Sequence, residues 1–289
     1  MIPYITLEVS ALNPFCDLHV HSNCSDGTLP PAALIREAEK RGLAAIALTD
    51  HNTIAGLPEF LAAAEHSPVL AVPGIEISAD YNGTELHILG LFIQPQHYAA
   101  VEERNIAYLR QKEASNLALA KALNEAGYPI DYEKIKARTT GIPNRAHFAM
   151  ELIESGYISS VREGCLTILS PHNGIYNPPL RETAFETVAF LKSIGAVSVL
   201  AHPFLNLKEP DLRVFLQEIA PYGLDGMEVL YSTFDETLTG KAIAIADEFG
   251  LKYSGGSDFH GDNKPDIAMG LGRGNLAIPL AFLTQLRSQ

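Results

Sequence analysis

Cysteine is scarce, basic residues are outnumbered and no long apolar run occurs, and each shortage removes a class of protein. Cys16, Cys24 and Cys165 are the 3 cysteines of a 289-residue chain. They are too few and too scattered for a disulfide framework or a thiolate zinc site, so a reducing cytoplasm is the expected compartment. Lys and Arg number 21 against 34 Asp and Glu, for a formal charge of −13. That balance argues against a surface tracking long duplex nucleic acid. It leaves room for a small phosphorylated substrate, because bound divalent cations invert the local field. No stretch approaches the roughly 18 apolar residues of a membrane span, and no basic-then-apolar leader is visible. What remains is ordinary globular composition, 47% hydrophobic and 19% charged. There is no internal repeat or low-complexity tract, and the length suits one large domain or a domain with an insertion.

Strand and helix signals alternate. "DLHVH" leads into a helix over 31–42 with prolines at its start and Gly42 at its stop. "LAAIALT" precedes a helical pattern at 56–65, and "VLAVPGIEIS" runs toward a hairpin turn, "YNGT" at 81–84, before "ELHILGLFI". After residue 170, helices at about 182–193, from about 210 and at about 235–249 alternate with "AVSVLAH", "DGMEVLY" and "LKYSGGSDFH". Seven strands, mostly joined by helices, predict a barrel-like α/β sheet over 15–97 and 171–289. The interval 98–170 breaks the rhythm. It holds a long helix ended by Gly127 and Pro129, then "NRAHFAMELIESG" with Asn144 as N-cap and Gly156 as stop. It reads as a mostly helical insertion domain contributing substrate contacts. Residues 1–14 form an extension, either an edge strand or a cover for the barrel.

The stretch "CDLHVHSNCSDG" contains H-x-H. On a regular strand His19 and His21 share a face with Asp17, and Leu18 and Val20 lie opposite. Such a pair alone fits a wet strand face as well as a metal site. The rest of the chain repeats the theme: Asp26 follows in the loop, His51 sits in "LTDHNT", and Glu76 in "PGIEIS". His87 interrupts "ELHILG", His202 ends "VLAHP", and Asp258 and His260 close "SGGSDFH". In barrels of parallel strands the C-terminal strand ends carry the chemistry. Six imidazoles and three carboxylates exceed one coordination shell, so two or three divalent ions are expected. Mixed N/O ligands suit Zn²⁺, Mn²⁺ or Fe²⁺ better than Ca²⁺. Asp17 and Asp50 are expected to orient imidazoles from behind. His66, His97 and His172 read as structural or exposed, and Cys24 as a packed small residue.

In their order and spacing, "DLHVHS", "TDHN", "GIEIS", "AHP" and "SDFH" resemble the motifs of the PHP family, named for polymerase and histidinol phosphatase. The resemblance spans about 16–95 and 196–275. "ELHILGLF" and "KPDIAMGLGRG" make the chain similar to the subgroup of metal-dependent phosphoesterases around TrpH, also called RNase AM, and the 3′,5′-nucleotide bisphosphatases. The resemblance implies a distorted (β/α)7 barrel with up to three metals. One would be held by His19, His21, Glu76 and Asp258, a second by Asp26, His51 and His260. Glu76 would bridge to a third with His87 and His202, His87 being the ligand whose strand position is less clearly at the rim. "NRAHFA" stands where the subgroup has Arg-Pro-His, with Ala146 for the proline. Arg145 and His147 are therefore expected to bind phosphate on a first helical turn, where free N–H groups and the helix dipole favour an anion. Lys264 and Arg273, beyond the last ligand motif, are further phosphate candidates.

The activity implied is hydrolysis of 3′,5′-bisphosphonucleotides or of the 5′ ends of short RNA. A metal-bridging hydroxide would attack phosphorus, with Asp26, His51, His202 and His260 as catalytic residues. Three divalent ions against three carboxylates would leave the mouth at about +3 in an acidic protein. The rivals are a histidinol-phosphate phosphatase, an amidohydrolase-type enzyme, for which no strand-end lysine ligand is visible, and a non-catalytic metal-binding accessory module.

Overall fold

The computed structural model describes residues 15–139 and 142–288, so the extension at 1–14 lies outside the described residues. The first half-barrel is β1 (Phe15–Val20), α1 (Pro31–Lys40), β2 (Ala45–Leu48), α2 (Leu57–Ala64), β3 (Leu70–Tyr81) and β4 (Thr84–Leu91). Four helices follow: α3 (Tyr98–Glu125), α4 (Tyr132–Ala137), α5 (Arg145–Glu154) and α6 (Val161–Leu166). Then come α7 (Ala184–Ser193), β5 (Val197–Leu200), α8 (Glu209–Ile219), β6 (Gly226–Tyr231), α9 (Glu236–Phe249) and β7 (Lys252–Gly256). The short β8 (Ile278–Pro279) and α10 (Leu280–Arg287) complete the chain.

The sheet order is β7-β6-β5-β4-β3-β2-β1-β8. Beyond the strands proper, His21 N donates to Phe259 O and Asp258 N to His19 O, each at 2.9 Å, which draws β1 against the end of β7. The result is a nearly closed seven-stranded barrel with the two-residue β8 added antiparallel at the start of β1. The distortion lies in β4, which runs antiparallel to both β3 and β5. Its cause is local. Asn82 (φ 51°) and Gly83 (φ 81°) both take left-handed backbone, as a two-residue I′-type hairpin requires. Asp80 accepts the Gly83 N–H at 3.2 Å.

Two apolar layers hold the barrel. Ile46, Leu48, Ile75 and Met227 pack with Leu34, Ile35 and Phe60 of the surrounding helices. Leu18, Ala45, Ala47, Val72 and Val199 pack instead with Leu283 and Leu286 of α10, which plugs the end opposite the polar rim. Leu18 and Val20 do not share a face as strict alternation predicts: Leu18 joins the second layer and Val20 the first. The pairing of β1 with β2 slips between Asp17 and Val20, and such a bulge resets which side each residue faces. The four inserted helices have a core of their own, with Leu119, Leu123, Phe148 and Leu152 packed with Tyr132 and Tyr176. Among the described residues no helix is long and apolar enough to cross a membrane.

Candidate active site

Glu76 is fully buried, and five imidazoles surround it. Its Oε2 lies 3.2 Å from both His19 Nε2 and His21 Nε2 and 3.0 Å from His51 Nδ1. Its Oε1 lies 2.8 Å from His87 Nδ1 and 3.0 Å from His202 Nε2. Asp26 Oδ1 meets His260 Nε2 at 3.1 Å, and its Oδ2 is 3.8 Å from His51 Nε2. Asp258 Oδ1 lies 3.2 Å from His21 Nε2. All nine expected ligand side chains therefore converge on one rim. His87 reaches it because β4 is reversed: its register opposite Ser78 brings the start of β4 beside the far end of β3.

Burying a carboxylate without positive charge costs several kcal/mol. Protonated imidazoles could supply that charge only against their own repulsion, since His19 Nε2 and His21 Nε2 are 3.0 Å apart. His21 is in fact pushed toward neutrality, by burial first and then by His260 and His51. Burial also opposes charge on His19 and His87, but the carboxylates win. Glu76, Glu228 and Asp258 hold His19 well above the usual imidazole range, and Glu76 with Glu85 raises His87 to about 10. Glu76 itself is held well below the usual carboxylate range despite burial, by His51, His19 and His87. Divalent cations meet the same demand better. His21 Nδ1, Glu76 Oε2 and His87 Nδ1 are buried without a hydrogen bond although charged neighbours stand at 2.8–3.8 Å. Ligand atoms within 4.8 Å of one another form the sets His21, Asp26, His51, His260; His19, His21, Glu76; and His51, Glu76, His87. Three buried atoms left without a hydrogen bond amid these converging ligand atoms fit divalent metal ions.

The supports of this cluster differ from expectation. Asp17 accepts from Ser257 N and Gly270 N at 2.9 and 2.7 Å, and Asp50 accepts from Ser22 N and Ser25 Oγ at 2.7 and 2.6 Å. Both tie loops together and neither touches an imidazole nitrogen: Asp17 reaches only the backbone N–H of His19, at 3.3 Å, and the serines engage Asp50. The carboxylate behind an imidazole is Glu228 on β6, which sequence reasoning missed. Its Oε1 accepts from His19 Nδ1 at 3.0 Å, leaving Nε2 to face the cluster, and its Oε2 accepts from His202 N at 2.6 Å. A lone acid in the apolar "GMEVLY" was the available signal. Tyr231 Oη and Lys264 Nζ donate to Asp258 Oδ2 at 2.6 and 2.7 Å. His202 and Asp258 take positive φ, 29° and 56°, a conformation that costs of order 1–3 kcal/mol and marks a position the surroundings hold for function.

A cavity of about 210 Å³ opens beside these residues, lined by Asp26, His51 and His87 together with Lys112, Arg145 and Arg181. Arg145 lies at the start of α5 with its guanidinium 5.3 Å from the centre of the Tyr176 ring. Arg181 is fixed by Glu85 Oε2 at 2.7 Å. Lys112 has no ion-pair partner among the described residues, and burial lowers its pKa against the pull of Asp26 and Glu85. Asn144 Nδ2 contacts Asp26 Oδ2 at 3.5 Å and so joins α5 to the rim. Lys112, Arg181 and Glu85 carried no recognisable signal, because a lone charge on a polar helix or loop reads as surface.

His147 caps its helix, close to the cavity residues Asp26 and Lys112. Its Nδ1 accepts from Asn144 N at 3.1 Å, completing a capping box in which histidine takes the usual place of Glu. Lys264 is engaged by Asp258. Arg273 pairs with the exposed Asp266 at 2.7 Å and does not line the cavity, since the loop after His260 carries it outward. Cys24 lines the cavity, but burial pushes its thiol pKa up, against a nucleophilic role. His66 and His172 are exposed and His97 half-buried, apart from the cluster.

The PHP domain family matches residues 17–152. A 5′-3′ exoribonuclease of Haemophilus influenzae is 31% identical over 84% of this chain and 89% of its own. A 3′,5′-nucleoside bisphosphate phosphatase of Chromobacterium violaceum is 30% identical over 84% and 86%. A solved structure from Bifidobacterium adolescentis superposes with a TM-score of 0.78 over 94% of each chain, and at 24% identity it speaks to the fold alone.

Proposed function

The chain belongs to the PHP family of metal-dependent phosphoester hydrolases, and on that premise we propose that its substrate presents two phosphates separated by one ribose. A nucleoside 3′,5′-bisphosphate has this form, and so does the 5′-phosphorylated end of a short RNA. One phosphate would be attacked at the cluster while the other is held across the cavity. The observation that carries this reading is a single cavity whose lining joins metal-ligating residues to three cations, Lys112, Arg145 and Arg181. Histidinol phosphate has one phosphate and would leave these three cations without a partner of their own.

When bound, two or three divalent ions, Mn²⁺, Zn²⁺ or Fe²⁺, supply a water of lowered pKa and neutralise phosphate oxygens. The protein's own groups do the rest. Glu76, His19, His21, His87 and Asp258 would hold the ions, and Asp26, His51, His202 and His260 would complete the set beside the attacked phosphate. Arg145 and Arg181 orient the second phosphate as charge-assisted donors. Hydrolysis adds water to phosphorus, breaks the bond to the ribose oxygen and leaves that oxygen in need of a proton. Lys112, lowered in pKa and without an ion-pair partner among the described residues, is placed to stabilise or protonate it. Three free thiols, Cys16 buried and Cys24 and Cys165 half-buried, support a reducing compartment, the cytoplasm.

The test is Arg145→Ala, assayed with Mn²⁺ on adenosine 3′,5′-bisphosphate and on AMP. The preference for the bisphosphate should fall at least tenfold, mostly through KM. An unchanged preference would remove Arg145 from the site and leave the two-phosphate reading without its main support.

A further inference from the structure

The cavity proposed to receive phosphates is itself lined by two acids, Asp26 and Glu85. Asp26 belongs to one of the converging ligand sets, whereas Glu85 joins none of those among the described residues. A carboxylate beside a phosphate is repulsive, so Glu85 works against binding unless its position serves another end. Glu85 is the second residue of β4, two before His87, and residues i and i+2 of a strand share a face. It pairs with Asp80 in the register, and Asn206 Nδ2 donates to its carbonyl oxygen at 2.7 Å, which pins the start of the strand.

The two carboxylate oxygens go to different partners. Oε1 lies 3.4 Å from His87 Nε2, and Oε2 accepts from a terminal nitrogen of Arg181 at 2.7 Å. An ionised carboxylate only accepts, so the proton of a neutral His87 ring is drawn to Nε2. That leaves the lone pair on Nδ1, the nitrogen 2.8 Å from Glu76 Oε1 and buried without a hydrogen bond. A metal-ligating imidazole is commonly held in this way, its far nitrogen donating to a carboxylate. Glu228 does the same for His19, but its other oxygen ends on backbone. The other oxygen of Glu85 ends on a side chain of the cavity. Glu85 is the one ion-pair partner of Arg181 among the described residues. Together the two carry no net charge, so Arg181 offers a phosphate the direction of its remaining terminal N–H groups, and Glu85 sets that direction.

We propose that Glu85 is a positioning residue that holds the metal ligand His87 and the phosphate-binding Arg181 at one fixed spacing, so that metal retention beside His87 and selectivity for a second phosphate depend on the same carboxylate. The inference rests on the proposed activity and deepens it: the spacing between the two phosphate positions is built into the protein before substrate arrives. An ordinary ion pair at a cavity edge would serve Arg181 alone.

The experiment compares the native protein with Glu85→Gln, Glu85→Asp and Arg181→Ala. In Glu85→Gln the amide oxygen satisfies one donor while the NH₂ confronts the other. Glu85→Asp keeps the charge but, one methylene shorter, cannot span both partners. Mn²⁺ per chain is measured after dialysis against graded Mn²⁺, and kcat and KM are measured at saturating Mn²⁺ on adenosine 3′,5′-bisphosphate and on AMP. Both Glu85 variants should retain Mn²⁺ about 10–100-fold more weakly and lose severalfold in preference for the bisphosphate, through KM rather than kcat. Arg181→Ala should lose the preference without losing Mn²⁺. A Glu85→Gln protein altered in only one of the two quantities, or in neither, would overturn the joint role. So would full recovery in Glu85→Asp, which would assign the effect to charge, or an equal loss of Mn²⁺ in Arg181→Ala, which would assign it to a loosened cavity. Absence of turnover by the native protein on either compound, with Mn²⁺ bound, would instead remove the proposed activity, and the inference with it.

Discussion

Glu228 shows how one side chain can determine what another presents. Its two oxygens hold His19 Nδ1 and the backbone N–H of His202, fixing an imidazole tautomer and a strained strand end together. In Glu228→Gln one amide oxygen can still receive His19 Nδ1–H, but the amide NH₂ then confronts the His202 N–H, donor against donor. Partners of this kind typically change metal affinity by 10–100-fold. We expect Glu228→Gln to lose metal on dialysis at concentrations where the native protein keeps it, with circular dichroism unchanged. Full metal retention would assign Glu228 to packing alone. At this scale the imidazoles were legible, because H-x-H and strand-end histidines form a pattern. Glu228 was not, because a single acid in an apolar strand forms none, and Asp17 and Asp50 were misread because their serine partners lie in other loops.

At the scale of elements, the bulge in β1 and the reversed β4 place the ligands. Both come from local backbone events that hydrophobic alternation does not encode, although the "NG" of the β3–β4 turn does announce its hairpin. The close approach of β7 to β1 is equally demanding. A Cβ on Gly256 would stand 2.1 Å from His19 Cβ and 2.9 Å from His19 N, a backbone atom that cannot yield alone. Overpacking of this kind costs typically 1–3 kcal/mol, so Gly256→Ala should lower Tm by roughly 2–10 °C and weaken metal binding through His19. Gly240, within α9, has nothing within 4 Å of an added Cβ. Gly240→Ala is the matched control and should be neutral or slightly stabilising. If Gly256→Ala behaves like that control in thermal melts and metal content, the strand contact does not position His19.

For the whole molecule the relevant quantity is the coupling of metal, protons and stability. Without bound metal, Glu76 and Glu85 push the His87 pKa up to about 10 against the opposing effect of burial. Its pairing with Glu76 therefore contributes stability that is complete below about pH 6.5 and is lost as pH rises through about 10. Metal binding must expel that proton, so affinity grows with pH over the same window. At a thousandfold excess over Kd, metal binding contributes about 4 kcal/mol. Melting curves with Mn²⁺ and with chelator should separate, and the gap should widen from pH 6.5 to 8.5. A gap that is constant or narrows with pH would mean that His87 is not displaced by metal.

The barrel's strand-helix alternation, the nine candidate ligands and the excess of acid over base were determined by the sequence, because each is written in residue type and short-range spacing. Tertiary structure decided which carboxylate stands behind which imidazole, how β4 brings His87 to the rim, and how Lys112, Arg145 and Arg181 come to line one cavity with Asp26, His51 and His87. Those relations join residues dozens to hundreds of positions apart. They depend on the hand of a turn, a one-residue slip in a strand and the packing of four inserted helices, none of which leaves a periodic trace along the chain.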